Sequence, residues 1–466
     1  MNVNPHTQDA YDLFHKGTLA FARAEEQGIR VDVDYIQRKK YTLTRKIGRL
    51  EQEFKDTPFF QQWDKSTNTT VNINSGTQLK EFLYKVKGYK PKKFTKSGAG
   101  STDAEALAQL KIPALEILAQ RDKLKRLRDV FLDGLEREQV DGYVHPFFNL
   151  HLVVSYRSSC NSPNLQNVPI RDEESMLAVR KALYPRPGHQ LLEIDFKSIE
   201  VAINCAYNND SNLIKYVSNP KSDMHADMAK QIFRLDEFDR SLPEHGVLRF
   251  NAKNGFVFPQ FYGSYYKNCA EDLLCNLGKL PHGRWKEGQG MKMPEGTLSD
   301  HLIKVGLPSY NSFENHLEKI EDDFWGNRFP DYAEWKERWY SVYKKYGYFD
   351  LLTGFRCSGI MSKNDVTNYP AQGSAFHCLL WSFNKMDEVM QKENWDTRLI
   401  SQVHDSMILD VLPSELEHVA KTAIDITTKQ LPEVWKWINV PLSVDMEICD
   451  IDESWANKKK FKILTH

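Results

Sequence analysis

The sequence has 466 residues, of which 41% are hydrophobic and 27% charged, and this composition excludes wholesale disorder. Its 62 lysines and arginines nearly balance its 63 aspartates and glutamates, so net charge indicates no class of partner, and any binding of nucleic acid must depend on local positive charge. At roughly 150 residues per domain, this length predicts about three domains or subdomains.

The cysteines and the N-terminus indicate the compartment. Seven cysteines at irregular spacings form no CxxC pair, which favours a reducing environment and argues against structural zinc or a disulfide scaffold. The N-terminus lacks the basic and apolar regions of a signal peptide, and no apolar run approaches the roughly 18 residues of a membrane helix. We therefore expect a cytosolic or nuclear protein with no contact with a membrane.

The first predicted elements are helices. Apolar spacing predicts helix over residues 8–54 with a short break, where Gly28 can end a first helix. Asp34 is the expected N-cap of a second helix. Residues 114–137 again predict helix.

A lysine-rich segment separates these helices. Residues 80–100 are interrupted by Gly and Pro and carry Lys85, Lys87, Lys90, Lys92, Lys93 and Lys96. The segment predicts either a solvated loop or a loop that contacts phosphates.

The remaining elements predict an α+β fold. They are a polar segment over 143–171, a buried strand at 191–194, helices over 198–275, a loop over 278–300 with five Gly and two Pro, helices over 311–346, and strand, turn, strand, helix and strand from Leu399. We expect residues 190–196 to pair with 399–411, although the two segments are far apart in the sequence.

Two aspartates lie at strand ends. Asp195 follows the apolar run LLEI, and Asp405 lies between two apolar strands in LISQVHDSMILD. Taken alone, the first is typical of a helix cap and the second of a turn. Two carboxylates at strand ends can instead share a pair of Mg2+ ions, which clamp the attacking and leaving oxygens in phosphoryl transfer.

A cationic pair precedes several aromatic residues. Arg249 and Lys253 are spaced i, i+4 and share one face of a helix, and Phe256, Phe258 and Tyr262 follow. This pattern suits either a site for a triphosphate and a base, or a solvated cationic face with aromatic residues in the core.

Residues 157–171 carry long polar side chains without helix or strand periodicity. Such side chains can contact the minor groove of DNA, where A·T and G·C pairs both offer acceptors. The alternative is an ordinary polar surface loop.

In their order along the chain, these segments resemble family A DNA polymerases. The resemblance rests on the PNLQN loop, the strand with Asp195, the Arg-x3-Lys…Tyr-Gly helix and the QVHD hairpin. It extends from about residue 10 to residue 455 and includes GIRVD (28–32), NINS (72–75), DMH (223–225) and NYPAQG (368–373).

The resemblance implies an α+β right-hand fold with an antiparallel-sheet palm, helical fingers and a helical thumb. The implied regions are a thumb-like helical region with the lysine-rich loop over 1–140, the first part of the palm over 141–210, the fingers over 211–346 with an insertion around 276–316, and the second part of the palm over 347–466.

The resemblance also implies roles for individual residues. Asp195, Asp405 and the carbonyl of Phe196 would bind two Mg2+ ions. Glu200 would exclude a 2′-hydroxyl, and His225, Arg249 and Lys253 would bind the triphosphate. Tyr262 would close the templating pocket of the nucleotide site. Arg157, Asn164, Gln166, Arg171, Asn368, Gln372 and His404 would contact DNA. Ser406 stands where the family has a third carboxylate.

The implied activity is template-directed synthesis of DNA by a nucleotidyltransferase. A primer 3′-hydroxyl would attack the α-phosphate of a dNTP and release pyrophosphate. Because the thumb-like segment starts near Met1, we expect no exonuclease domain and no proofreading. The expected partners are primer–template DNA, dNTPs, a separate exonuclease, a helicase-primase and a single-strand-binding protein, in a viral or plasmid replication system.

Two other functions are consistent with parts of the sequence. Single-subunit RNA polymerases share the Asp and Arg/Lys/Tyr-Gly arrangement, but Glu200 argues against them because a bulky side chain there should exclude ribose. A catalytically silent nucleic-acid-binding protein is the other alternative, and the retained aspartates and cations argue against it.

The spacing of Lys253 and Tyr262 predicts an irregular helix. The two residues are nine positions apart, whereas the family separates them by eight. At about 100° per residue, the extra position turns Tyr262 to roughly 180° from Lys253. We expect a one-residue π-bulge or kink near Pro259 to restore the face, so that Phe258 rather than Val257 lies in the pocket. The alternative is that Pro259 simply ends the helix.

Overall fold

A computed structural model describes residues 4–91, 93–95, 98–169 and 172–463. Its α-helices are α1 (Gln8–Gln27), α2 (Val33–Lys55), α3 (Pro58–Lys65), α4 (Gly76–Lys80), α5 (Ala104–Ala108), α6 (Pro113–Arg126), α7 (Asp133–Glu138), α8 (Glu173–Arg180), α9 (Ile199–Asn208), α10 (Ser211–Ser218), α11 (Met224–Ile232), α12 (Pro243–Ala252), α13 (Phe258–Phe261), α14 (Tyr266–Asn276), α15 (Leu298–Lys304), α16 (Tyr310–Asp323), α17 (Pro330–Tyr346), α18 (Lys363–Glu393), α19 (Leu416–Asp425) and α20 (Leu431–Val434).

The strands are β1 (Ile29–Val31), β2 (Tyr143–Val144), β3 (Phe147–Asn149), β4 (Ser159–Asn161), β5 (Leu183–Tyr184), β6 (Gln190–Phe196), β7 (Tyr348–Asp350), β8 (Arg356–Ser358), β9 (Arg398–Val403), β10 (Ser406–Val411), β11 (Val444–Ile448) and β12 (Lys459–Phe461). Short π-helical turns occur at Glu81–Val86, Leu127–Leu132, Lys253–Val257, Phe324–Arg328 and Ile426–Gln430.

An antiparallel sheet forms the centre of the molecule. In the described part of the chain its five strands are ordered β12, β11, β6, β10, β9. The β6 and β10 strands pair from Gln190 opposite Val411 to Asp195 opposite Ser406, which confirms the predicted long-range pairing. Leu192 and Ile194 on the central strand are buried in one core cluster, and Leu191, which faces the opposite side of the sheet, is buried in another, so both faces are covered.

The helices α1 and α18 pack together on this sheet. Gly17 permits the close approach, because a Cβ at that position would lie 2.9 Å from Leu380 Cδ1. Although α1 falls within the predicted 1–140 region, its buried residues belong to the same core as those of the sheet.

The helices α2–α6 enclose one apolar cluster of their own, which includes Phe54, Trp63 and Phe82. A second cluster is shared between α2, α6, α7 and the central sheet. The predicted N-cap at Asp34 is wrong. The chain leaves β1 in extended conformation, so Asp32 caps α2 and its side chain accepts a hydrogen bond of 2.8 Å from Tyr35 N. Asp34 lies in the first turn instead.

The lysine-rich segment is only partly a loop. Residues 81–86 form a π-helical turn that continues α4, and its buried residues Phe82 and Leu83 anchor it. Lys85 is exposed and pairs with Glu81. Lys92 and Lys96 lie outside the described residues.

The helices α9–α17 form the region that precedes β7. Between α14 and α16, the predicted loop over 278–300 is irregular up to Thr297, where α15 begins. The two ends of the whole segment between α14 and α16 lie side by side, since Trp285 N donates to Pro308 O at 2.9 Å. The segment is not structureless, because Trp285 and Leu302 are buried in the main core.

No helix in the described ranges is both long enough and apolar enough to cross a membrane.

Candidate active site

The two predicted metal-binding aspartates meet at one end of the central sheet. Asp195 is the penultimate residue of β6, and Asp405 lies in the two-residue turn between β9 and β10. Phe196 N donates to Asp405 O at 3.1 Å, so the backbone joins the two positions directly. His404 adopts a left-handed conformation with φ 52°, which allows the turn to be this short.

The electrostatics of this pair favour a bound cation. Burial, followed by the charges of Asp405 and Glu193, raises the pKa of Asp195 to about 7, and Lys458 offsets this only in part. Burial also raises the pKa of Asp405, and Arg157 opposes the rise. Two carboxylates that disfavour each other's ionisation provide the hard oxygen donors that Mg2+ prefers.

The family's third carboxylate is replaced by Ser406 in this chain. Among the described residues, His, Cys, Asp and Glu side chains form no group of three or more that could hold a metal ion. Ser406 lies directly opposite Asp195 on β10, and its hydroxyl is turned to Val403 O at 2.8 Å. Asp445 on β11 is the other register partner of Asp195, and it pairs with Lys197.

The predicted triphosphate ligands lie on α11, α12 and the turn that follows. Arg249 is held by Asp223, with its Nε 2.8 Å from Asp223 Oδ2. Burial and Arg249 lower the pKa of Lys253, and Asp195 opposes that shift, so the lysine lies within electrostatic reach of the aspartate. Burial, Arg249 and Lys253 lower the pKa of His225 to about 4.

His225 is therefore neutral at pH 7. Its buried Nδ1 has no hydrogen-bond partner among the described residues. An unsatisfied buried polar atom beside two cations is consistent with a site for an anionic ligand.

The predicted irregularity in the helix is confirmed. A π-helical turn spans Lys253–Val257, and α13 follows at once with Pro259 in its first turn. The bulge brings Lys253 Nζ to 5.0 Å from the ring centroid of Phe258. Val257 is fully buried in the core, whereas Phe258 remains partly accessible, as expected.

Tyr262, Glu200 and Arg157 form a cluster within electrostatic reach of Asp405. Tyr262 donates its hydroxyl to Glu200 Oε2, and Arg157 Nη1 lies 3.5 Å from Glu200 Oε1. Burial raises the pKa of Glu200, and the hydrogen bond from Tyr262 opposes the rise. Sequence reasoning gave each residue a role but missed that Glu200 links the other two.

Comparisons with known proteins show the family of the chain. The model of DNA polymerase family A matches residues 34–279 and 323–457. The chain belongs to DNA polymerase family A. This family A chain is 25% identical over 461 residues to DNA polymerase I of Chloroflexus aurantiacus, a match that covers 94% of the chain and 43% of that protein.

Two further relatives show similar coverage. DNA polymerase I of Bacillus subtilis is 27% identical over 94% of the chain and 45% of its own length. The DNA polymerase of Escherichia phage T5 is 24% identical over 85% of the chain and 46% of its own length. The chain thus spans about half the length of the curated relatives it matches.

A solved structure confirms the fold class. The POL domain of Pol1 from M. smegmatis, in complex with DNA primer-template and dNTP, superposes with a TM-score of 0.73 at 22% identity, over 95% of this chain and 70% of that one. The predicted α+β right-hand fold is therefore correct.

Several predicted DNA contacts of this family A chain border the cluster. Gln166 Nε2 donates to Ser158 Oγ at 2.8 Å and to Gln402 Oε1 at 2.6 Å. Asn368 Nδ2 donates to Tyr262 O at 3.1 Å. These bonds link the polar loop, the hairpin and α18 around the cleft.

The side chains of the other predicted DNA contacts that the structure describes lie apart from this network. Asn164 caps a short 3-10 helix, with Asn167 N donating to its side chain at 3.2 Å. Gln372 lies partly buried on α18, and His404 is exposed at the hairpin tip. Arg171 lies outside the described residues.

Sequence reasoning missed Ser158 and Gln402 as site residues. Ser158 Oγ donates to Gln402 Oε1 at 2.6 Å. Both lie within segments that the sequence had already singled out, and the polar Gln402 within a predicted apolar strand was the available signal.

Proposed function

We propose that this chain is a template-directed DNA polymerase that adds dNTPs to a primer 3′-hydroxyl and releases pyrophosphate. The observation that carries the proposal is the meeting of Asp195 and Asp405 at one sheet end, within electrostatic reach of Lys253. Membership of DNA polymerase family A supports it. The proposed subdomains remain a thumb over 1–140, the palm over 141–210 and 347–466, and the fingers over 211–346.

Asp195, Asp405 and the backbone carbonyl of Phe196 would hold two Mg2+ ions. When bound, such ions polarise the reacting phosphate and stabilise charge on the attacking and leaving oxygens. The high pKa of the Asp195 carboxyl supports this assignment, because a cation relieves the repulsion between the two carboxylates.

Arg249, Lys253 and neutral His225 would bind the triphosphate. Two cations beside the departing pyrophosphate favour its formation, because negative charge accumulates there as the bond to the α-phosphate breaks. Asp223 holds Arg249 in place for this contact. The unpartnered Nδ1 of His225 would take up a phosphate oxygen or a water molecule.

Phe258, Tyr262 and Glu200 would enclose the base and sugar of the incoming nucleotide. Arg157, Asn164, Gln166, Arg171, Asn368, Gln372 and His404 would contact the primer–template. Because Arg157 pairs with Glu200, the same arginine would link the DNA-binding loop to the sugar pocket.

A primer-extension assay with the purified chain, Mg2+ and dNTPs tests the function. We expect template-dependent extension, and its absence would favour the silent nucleic-acid-binding alternative. We also propose that this chain has no 3′–5′ proofreading, so a mismatched 3′ end should persist in Mg2+ alone. A separate exonuclease, a helicase-primase and a single-strand-binding protein are the proposed partners, in the cytoplasm, within a viral or plasmid replication system.

Replacing Glu200 by alanine is expected to admit ribonucleotides. The carboxylate is fixed by Tyr262 and Arg157, so its bulk would occupy the space of a 2′-hydroxyl. The ratio of kcat/KM for dNTP to that for rNTP should fall by at least about tenfold. Glu200→Gln, which keeps the bulk of the side chain but removes its charge, is the matched control and should largely keep the ratio. An unchanged ratio in Glu200→Ala places the ribose barrier elsewhere.

The segment between α14 and α16 is proposed as an insertion that the chemical step does not need. The predicted insertion around 276–316 overlaps residues 280–322, which the family model leaves unmatched, although 310–316 belong to α16. Replacing 286–307 by Asn-Gly joins Trp285 to Pro308, which are already hydrogen-bonded.

This deletion is expected to lower Tm by at least about 5 °C, because it removes buried leucines such as Leu298 and Leu302. Single-turnover nucleotide incorporation should stay within about tenfold of wild type. A variant that is folded by circular dichroism but joins no nucleotide would show that the segment takes part in the reaction.

A further inference from the structure

Gln260 is a polar residue buried inside the helical region, two positions before Tyr262. Only 1% of its surface is exposed, yet its amide is fully engaged. Its Nε2 donates to a carboxylate oxygen of Glu321 on α16, and its Oε1 accepts a hydrogen bond of 2.7 Å from Trp325 Nε1. The side chain therefore joins α13 to α16 and to the π-helical turn at Phe324–Arg328.

The backbone carbonyl of Gln260 contacts Lys336 on α17. Lys336 Nζ donates to Gln260 O at 3.2 Å. The same ammonium lies 3.8 Å from the ring centroid of Trp325 and 4.9 Å from that of Tyr332. A cation held between two aromatic faces and aimed at one carbonyl has a fixed position.

The place of this cation in the fold suggests what it does. α13 has only four residues, and the chain beyond it turns back on its carbonyls, with Gly263 N donating to Gln260 O at 3.2 Å, so Lys336 is a second donor to that oxygen. The C-terminal end of a helix carries partial negative charge, which a buried ammonium stabilises. Tyr262 follows this end directly, and it donates to Glu200 and accepts from Asn368 through its carbonyl.

We propose that Lys336 is a positioning residue for Tyr262, which with Gln260 fixes the end of α13 at the nucleotide pocket. The proposal rests on the proposed function, because it assigns Tyr262 to that pocket. Lys336 touches neither the nucleotide nor the aspartates in this arrangement, and it acts through the Gln260 carbonyl.

The charge state of Lys336 provides a test. Burial lowers the pKa of Lys336 to about 7. Lys363 of α18 lowers it further, while Glu337 of α17 and Glu321 of α16 raise it. The ammonium is thus present below about pH 7 and is lost as the pH rises above it.

The first experiment compares Lys336→Met with Lys336→Arg. At pH 6.5 we expect Lys336→Met to raise the KM for dNTP about tenfold, with kcat within about threefold of wild type. Lys336→Arg should keep a KM close to wild type, because a guanidinium stays charged. Lys345→Met, an exposed lysine of the same helix, is the control and should change neither constant.

The pH dependence separates this role from a purely structural one. Between pH 6.5 and 8.5 the KM of wild type should rise towards that of Lys336→Met, while Lys336→Arg keeps its low KM. Equal KM values for the arginine and methionine variants would overturn the proposal. A difference in KM between wild type and Lys336→Met that does not change with pH would also overturn it.

A second measurement does not depend on activity. The fluorescence of Trp325 is obtained as the difference between wild type and Trp325→Phe. As the pH is raised, this fluorescence should change in one step near pH 7, and Lys336→Met should abolish the step. Primer extension without this step overturns the role of Lys336 and leaves the proposed function intact. A step without primer extension overturns the proposed function, and with it the role assigned to Lys336.

Discussion

Asp195→Asn and Asp405→Asn are each expected to lower the single-turnover rate of nucleotide incorporation by at least about 1000-fold. Each variant removes one of the carboxylates that would hold Mg2+, while the surfaces proposed to contact DNA stay unchanged. Binding to primer–template DNA, measured at fixed salt by fluorescence anisotropy, should therefore stay within about threefold of wild type.

Asp445→Asn is the matched control for these variants. It removes a negative charge on the adjacent strand β11, directly opposite Asp195 in register, but leaves both proposed metal-binding aspartates in place. We expect a change of less than about tenfold in the same rate. Near-wild-type incorporation by Asp195→Asn or Asp405→Asn would refute the two-metal assignment.

The raised pKa of Asp195 adds a test that needs no substrate. The pKa is about 7 in the folded protein and about 3.9 in an unfolded chain, so the folded state holds the proton more tightly. Ionisation then disfavours the fold as the pH rises from about 4 to about 7, and the effect is complete above it. Without Mg2+, Asp195→Asn should raise Tm at pH 8 and leave it nearly unchanged at pH 4.

Lys253→Met is expected to lower the rate of incorporation at saturating dNTP by about 100- to 1000-fold. The proposed contact with the triphosphate strengthens as pyrophosphate departs, so the loss should appear mainly in the rate and less in the affinity for dNTP. Lys267→Met, on α14 just beyond the same helical segment, is the control and should retain the rate. A variant that loses only dNTP affinity would assign Lys253 to binding alone.

The parts of this molecule that could be predicted from sequence depend on local pattern. The apolar runs at 190–196 and 399–411 predicted the pairing of β6 with β10, and the nine-residue spacing of Lys253 and Tyr262 predicted a bulge. Asp32 rather than Asp34 caps α2, because the length of β1 decides where the helix begins, and that length depends on pairing with β2 and β5.

The features that escaped prediction depend on contacts between distant segments. Arg157 meets Glu200 through the packing of a loop against α9, and Gln260 meets Lys336 although α14, α15 and α16 lie between them in the chain. Neither pair leaves a periodic signal, since each partner alone is compatible with an exposed position. The compact segment between α14 and α16 is similar, because its buried residues are scattered among glycines and follow no single period.

The π-helical turn at Lys253–Val257 also decides which residue a protein engineer should vary. Counting four residues forward from Lys253 selects Val257, whereas counting four residues back from Tyr262 selects Phe258. Val257 is fully buried and Phe258 borders His225, with 5.7 Å between the ring centroids. A saturation library aimed at altered nucleotide choice should therefore randomise Phe258, while the same library at Val257 should yield mainly variants with reduced thermal stability.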